Sequence, residues 1–122
     1  MKHWTYDQRS GALTDSEGKV VAHGYSGFGD AKNNPDDEWL HGLGPIPRGN
    51  WRINLVPHNS DQVGPYALGL TPVGHDAHGR SAFLIHGDSR SRPGQASHGC
   101  IILGPDVRHS IVASKIADLV VT

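Results

Sequence analysis

A chain of 122 residues, 36% of them hydrophobic and 19% charged, holds one core and not two, so residues 1–122 read as a single domain. The net charge of −1, from 11 basic and 12 acidic residues, excludes the clustered cationic surface that nucleic-acid binding demands. Apolar stretches such as Ala82–Ile85 and Leu119–Val121 are far too short to span a bilayer, so no membrane insertion is expected. No apolar segment follows Lys2, so no secretory leader is expected either. The lone cysteine, Cys100, excludes an internal disulfide and a cysteine-built zinc knuckle.

With 16 glycines and 8 prolines, many turns should separate short strands, giving a mostly β domain. Trp4–Asp7 and Ala12–Thr14 predict an opening hairpin around Ser10-Gly11. Lys19–Ala22 leads into Gly24-Tyr25-Ser26-Gly27-Phe28-Gly29, too glycine-rich for a regular interior strand. Asp30–Arg48 is polar and broken by Asn33-Asn34-Pro35 and Gly44-Pro45-Ile46-Pro47, a loop of about 18 residues, a length usually tied to function. Trp51–Val56 alternates with period two and should turn Trp51, Ile53 and Leu55 inward. Tyr66–Leu70 is a weaker strand candidate. The unbroken apolar run Ala82–Ile85 reads as a buried central strand that delivers His86 at its end. Cys100–Leu103 opens another buried run. Pro105 and Asp106 suit a helix start, with Val107 and Ile111 on one face, and Ala117–Val121 closes the chain as a strand.

Chemistry concentrates in Ile85-His86-Gly87-Asp88 and Ser97-His98-Gly99-Cys100-Ile101. A thiol attacks only as thiolate, and a neighbouring imidazole can take its proton. Glycine at 99 permits a tight turn that aims the amides of Gly99 and Cys100 at one point. Two such donors stabilise an oxyanion by roughly 3–4 kcal/mol each in acyl-transfer enzymes. Cys100 is the expected nucleophile, with His98 lining the site or bracing its turn, and Ser97 capping that turn. Tyr25, Ser26, Asn33 and Asn34 offer a substrate wall, though turn chemistry alone explains Gly and Asn there. Arg80, Arg90 and Arg92 flank the site; any one of them is read first as a solvated charge, and Arg92 is the candidate to grip a substrate carboxylate.

His-Gly followed by Ser-His-Gly-Cys-Ile resembles the signature of the YkuD-type L,D-transpeptidases. The resemblance is closer to one branch, the type VI secretion L,D-transpeptidase effectors. Gly24-Tyr25-Ser26-Gly27, Asn33-Asn34-Pro35, Gly44–Gly49, Ile85–Asp88 and Gly99–Leu103 carry it, in order, over residues 20 to 112. The resemblance implies a YkuD-like β-sandwich with one helix after the cysteine. It implies no cofactor and no metal. Cys100 would form a thioester with the diaminopimelate of a peptidoglycan stem peptide and expel the terminal D-alanine. His86 would be the base, oriented by a backbone carbonyl such as that of Gly87, with Asp88 a side-chain alternative. A chain of this branch is made in the cytoplasm, is delivered by a secretion-apparatus component into the periplasm of a target bacterium, and is neutralised by an immunity protein. Two departures stand out. Ordinary YkuD enzymes carry arginine where this chain has Ile102, and many have a longer loop between His86 and Ser97. Both favour the effector branch, and trimming or D-amino-acid exchange over cross-linking.

Two other classes compete. His75, Asp76, His78 and His86 offer ligands for a metal-dependent hydrolase, although no His-Glu-x-x-His helix exists. A non-catalytic wall-binding module is the second. A papain-like order fits poorly, because only His109 follows Cys100.

Overall fold

The computed structural model describes residues 2–122; Met1, counted within the expected domain, lies outside them. In chain order come β1 (Trp4–Tyr6), β2 (Ala12–Thr14), β3 (Val20–His23), β4 (Tyr25–Ser26), β5 (Gly49–Ile53), β6 (His58–Ser60), β7 (Gly64–Val73), β8 (Leu84–His86), β9 (Ile101–Ile102), α1 (Pro105–Ser114) and β10 (Asp118–Val121). The strands are hydrogen-bonded in the order β3-β2-β1-β10-β5-β7-β8-β9-β4, with β6 beside β7. The protein is mostly β, with one α-helix among the described residues, placed directly after the cysteine.

β7 ties the layout together. Its last residues, Leu70–Val73, pair with β5, Leu68 and Gly69 pair with β8, and its first residues pair with β6. The strand expected only weakly at 66–70 is therefore the longest of the described residues. Pro65, Gly69 and Pro72 lower its intrinsic strand preference, but pairing with three partners overrides that preference. The apolar run at 82–85 starts its strand late. Ala82 adopts a left-handed φ of +64°, so regular pairing begins only at Leu84. The glycine-rich stretch after β3 is not strandless, because Tyr25 and Ser26 pair with Ile102 and Ile101.

One cluster unites the sheet. Trp4, Tyr6, Leu13, Trp51, Ile53, Leu68, Ile85, Ile101, Leu119 and Val121 are buried together, and Ile111 of α1 closes over them. Pro105 sits in the first turn of α1, and Lys115 ends it in the left-handed conformation. β5 stops at Ile53, which leaves Leu55 only partly buried beside the core.

The 30–48 segment is irregular, as its composition predicts, with short 3-10 turns at Gly29–Ala31 and Pro35–Asp37. Glu38 anchors it. Its carboxylate accepts from Gln8 Nε2 at 3.0 Å and Arg48 Nε at 2.8 Å, and lies 2.7 Å from His78 Nε2. Burial works to raise this carboxyl, but the bonds from His78, Gln8 and Arg48 outweigh it and hold the group at about 2. A depressed carboxyl stabilises the fold above its unfolded value of 4.5, and that stability fades as pH falls toward about 2. Glu38→Gln should therefore lower stability at pH 7 by roughly 1–2 kcal/mol in thermal unfolding. The gap to the parent should narrow between pH 4 and pH 2; a gap independent of pH would contradict this role.

Candidate active site

β8 and β9 run parallel, with Ile85 opposite Ile101 and His86 opposite Ile102. Alternation turns Ile85 and Ile101 into the core, so His86 and Ile102 face the other way. Cys100 immediately precedes β9, two residues before the level of His86, or about 6.6 Å along a strand. The thiol thus lies at the start of one strand and the imidazole at the end of its neighbour.

The turn into Cys100 requires glycine at 99 for two reasons. Its φ is +139°, and a Cβ there would lie 2.5 Å from Arg80 Nη2 and 3.0 Å from the Phe83 ring. Ser97, fully buried, braces the turn: its Oγ accepts from the amides of Gly27 at 2.9 Å and Gly99 at 3.2 Å and donates to Cys100 O at 2.5 Å. Of the two amides expected to face an oxyanion, that of Gly99 is thus turned into the protein. Ser26 Oγ adds a brace from β4, donating to Gly99 O at 3.0 Å and accepting from Ile46 N at 2.8 Å.

Cys100 is half-buried and lines a cavity of about 330 Å³ with Arg80, Ala82, Phe83, His98 and His41. Its Sγ lies 3.7 Å from Ala82 O. Burial pushes the thiol up, while the Leu84 amide and the Arg80 guanidinium pull it back. Arg80 is no solvated surface charge, contrary to the expectation. It is only 7% exposed and donates to the carbonyls of Glu38, Pro45, Gly44 and His98. It makes no salt bridge to a carboxylate among the described residues, although the nearby Glu38 carboxylate favours its charged form.

His86 lines a different and larger groove, of about 910 Å³, with Tyr25, Gly87, Asp88, Arg92 and Arg108. It is 2% exposed. A carbonyl only accepts, so the 2.8 Å contact with Gly87 O puts the proton on Nδ1 and leaves Nε2 as the basic nitrogen. Burial lowers the imidazole, and Arg108 lowers it further against the opposing pull of Gly87 and Asp88. His86 is consequently neutral at neutral pH, the state a general base needs.

The remaining expected residues fall into two groups. Tyr25 and Asp88 reach the groove but are joined to each other: Tyr25 Oη donates to Asp88 Oδ1 at 2.6 Å and accepts from Ala96 N at 3.0 Å. Burial and this bond raise the phenol to about 12, so it remains a donor. The Asp88 carboxylate also accepts from the amides of Ser89 and Gly94, shaping the 88–96 loop. Arg92 is exposed on that loop. Ser26 and Asn34 line neither cavity, because Ser26 is fully buried and the Asn34 side chain caps the turn at Asp36 and Asp37. The expected wall is thus reduced to Tyr25. His98 shares the thiol's cavity; its Nδ1 donates to Gly42 O at 2.8 Å, and its ring stacks on Phe28. His75 and His78 are engaged elsewhere, with Asn50 O and Glu38, and no group of three or more metal-binding side chains forms among the described residues.

Sequence reasoning undervalued Arg80 and missed Arg108. Nothing in Gly79-Arg80-Ser81 marks a buried cation. For Arg108 a signal existed, since it stands three residues before Ile111 on the buried helix face. Arg80 should tune the sulfur. Arg80→Met is expected to move the pH midpoint of Cys100 alkylation by iodoacetamide upward, and Arg80→Lys to recover most of that shift. An unmoved midpoint in folded Arg80→Met protein would contradict the electrostatic role.

The fold is similar to those of solved L,D-transpeptidases. The chain superposes on the Enterococcus faecium L,D-transpeptidase, a cysteine-to-serine variant, with TM-score 0.57 and 16% identity, covering 99% of this chain and 49% of that one. Against the L,D-transpeptidase from Mycobacterium smegmatis the TM-score is 0.54 at 18% identity, covering 99% and 58%. Against L,D-transpeptidase 1 of Mycobacterium tuberculosis it is 0.51 at 17%, covering 99% and 60%. The chain therefore spans about half to three-fifths of the length of these proteins. No curated protein sequence matches it. The Tlde1 domain matches residues 20–121. The chain accordingly belongs to the Tlde1 domain family.

Proposed function

We propose that the protein is a cysteine acyltransferase that acts on peptidoglycan stem tetrapeptides. One observation carries this reading most directly. A half-buried thiol at the start of β9 lines an open cavity, and the adjoining strand ends in a neutral imidazole whose tautomer is fixed by Gly87 O. Family membership and the likeness to L,D-transpeptidases support the substrate class.

The chemistry follows from the two groups. The raised thiol is mostly protonated at neutral pH and needs a base; in this reading His86 Nε2, left basic by the Nδ1 bond to Gly87 O, takes the proton when substrate brings the two groups together. Sγ then attacks the carbonyl of the L-centre of diaminopimelate. The tetrahedral intermediate collapses to a thioester as D-alanine leaves, taking the proton back from His86. Water resolves the thioester to a tripeptide and free thiol, an L,D-carboxypeptidase outcome. A D-amino acid resolves it to an exchanged tetrapeptide. In cells the protein acts in the periplasm of a target bacterium, delivered there by a secretion-apparatus component and opposed in its producer by an immunity protein. These last points extend from the Tlde1 assignment.

Incubation with diaminopimelate tetrapeptide muropeptides, with and without D-methionine, tests the reading by product mass. Loss of one D-alanine indicates trimming, and a D-methionine mass shift indicates exchange; unchanged tetrapeptide in both reactions would overturn it. Cys100→Ala should abolish turnover, and His86→Asn should reduce it by about 10²–10⁴-fold. Because the His86 pKa is lowered, its neutral form persists below the ordinary imidazole range. Activity should therefore hold through pH 6.5 and fall only at lower pH. A fall already centred above pH 7 would contradict His86 as the base.

A further inference from the structure

Arg108 is the second buried cation of the site, and nothing in the proposed reaction uses it. It rises from the first half of α1 and is only 5% exposed. Its Nε donates to Leu103 O at 3.1 Å, and its Nη1 to Pro65 O at 2.8 Å and Tyr66 O at 3.1 Å. Nη2 has no acceptor among the described residues. It is also absent from the sealed, unpartnered polar atoms of the interior, which are Trp4 Nε1, Tyr6 Oη and Gln8 Oε1. Nη2 therefore stays open to the groove that Arg108 lines with His86 and Gly87. Its direction is fixed: a Cβ added to Gly87 would lie 2.8 Å from it. Glycine at 87 keeps the approach to this N–H clear.

Three carbonyls orient this guanidinium but bring no negative charge. A buried cation without a counter-charge is costly, and an anion that supplies both charge and an acceptor for Nη2 relieves that cost. Asp88, the one acidic residue lining the groove, is already bound by Tyr25 Oη and the amides of Ser89 and Gly94. The groove thus presents a rigid cation with an open donor, beside the candidate base and without a carboxylate of its own to fill it.

We propose that Arg108 Nη2 forms the floor of a carboxylate-binding subsite in the His86 groove, and that it holds a free carboxylate of the peptide substrate. This deepens the acyltransferase reading and rests on it for the identity of the peptide. It also moves the grip on substrate from the exposed Arg92 to a residue whose geometry is set before substrate arrives. Preorganisation of this kind raises specificity, because no side-chain freedom is lost on binding.

NMR titration of the wild-type protein tests the subsite without relying on turnover. The Arg108 Nε–H signal is followed while N-acetyl-D-alanine or N-acetyl-D-alaninamide is added. The acid should shift the signal saturably, and the amide should bind at least tenfold more weakly. Arg108→Lys should weaken binding of the acid by about tenfold or more, and Arg90→Ala/Arg92→Ala should leave the Arg108 shift in place. An equal response to acid and amide, or a silent Arg108 signal, would overturn the subsite, as would loss of the shift in the loop double variant. The two readings fail separately. A silent Arg108 alongside processed tetrapeptide overturns the subsite alone, whereas a carboxylate-specific shift with unchanged tetrapeptide supports the subsite and overturns the reaction.

Discussion

Two guanidinium groups are buried near the β8–β9 pair, Arg80 at the thiol's cavity and Arg108 at the His86 groove, each held by main-chain carbonyls and neither in a salt bridge to a carboxylate. Burying a charge costs several kcal/mol even after relaxation, and carbonyl dipoles repay only part of it. The fold must therefore close around these cations with enough packing elsewhere to sustain them. The return is a fixed positive potential around a thiol and an imidazole. Beside Cys100 it offsets part of the burial that raises the thiol, and beside His86 it adds to the burial that favours the neutral ring. Both biases suit the proposed acyl transfer, in which Cys100 is the nucleophile and His86 the base.

The rest of the molecule can be understood as the frame for that arrangement. Arg80 reaches the 30–48 segment through the carbonyls of Glu38, Gly44 and Pro45, and the cysteine turn through that of His98. The same Glu38 anchors its segment by its carboxylate to Gln8, Arg48 and His78. The 30–48 segment and the cysteine turn are consequently joined through one side chain. On the other side, Tyr25 and Asp88 tie β4 to the 88–96 loop, which sets one wall of the groove. Ser97 locks the Gly99 turn from within, as its capping role anticipated, and Ser26, expected at a substrate wall, joins it there.

Much of this was legible in the sequence, for identifiable reasons. Alternation in Trp51–Val56 and the apolar runs Ala82–Ile85 and Cys100–Leu103 carry strong signals, and strands form within each, at Gly49–Ile53, Leu84–His86 and Ile101–Ile102. Pro105 and Asp106 marked the helix start. β7 was underestimated because its prolines and glycines hide a strand held by three partners. At the site, chemistry-bearing types at close spacing picked out Cys100 and His86. Burial is what sequence could not supply. Arg80 looked like a surface charge because the carbonyls that hold it come from residues 38, 44, 45 and 98, distant in the chain. Ser26 and Asn34 were placed at a substrate wall because turn-forming side chains and substrate-facing ones share the same residue types.

The proposed account turns on sulfur becoming covalently bound to substrate. Intact-protein mass spectrometry after rapid acid quenching, with tetrapeptide in excess, addresses this directly. A mass increase equal to the tripeptide acyl group, mapped to Cys100 and sensitive to hydroxylamine, is the predicted result. Turnover of the tetrapeptide by Cys100→Ala protein, or an acyl adduct mapped to another residue, would contradict it.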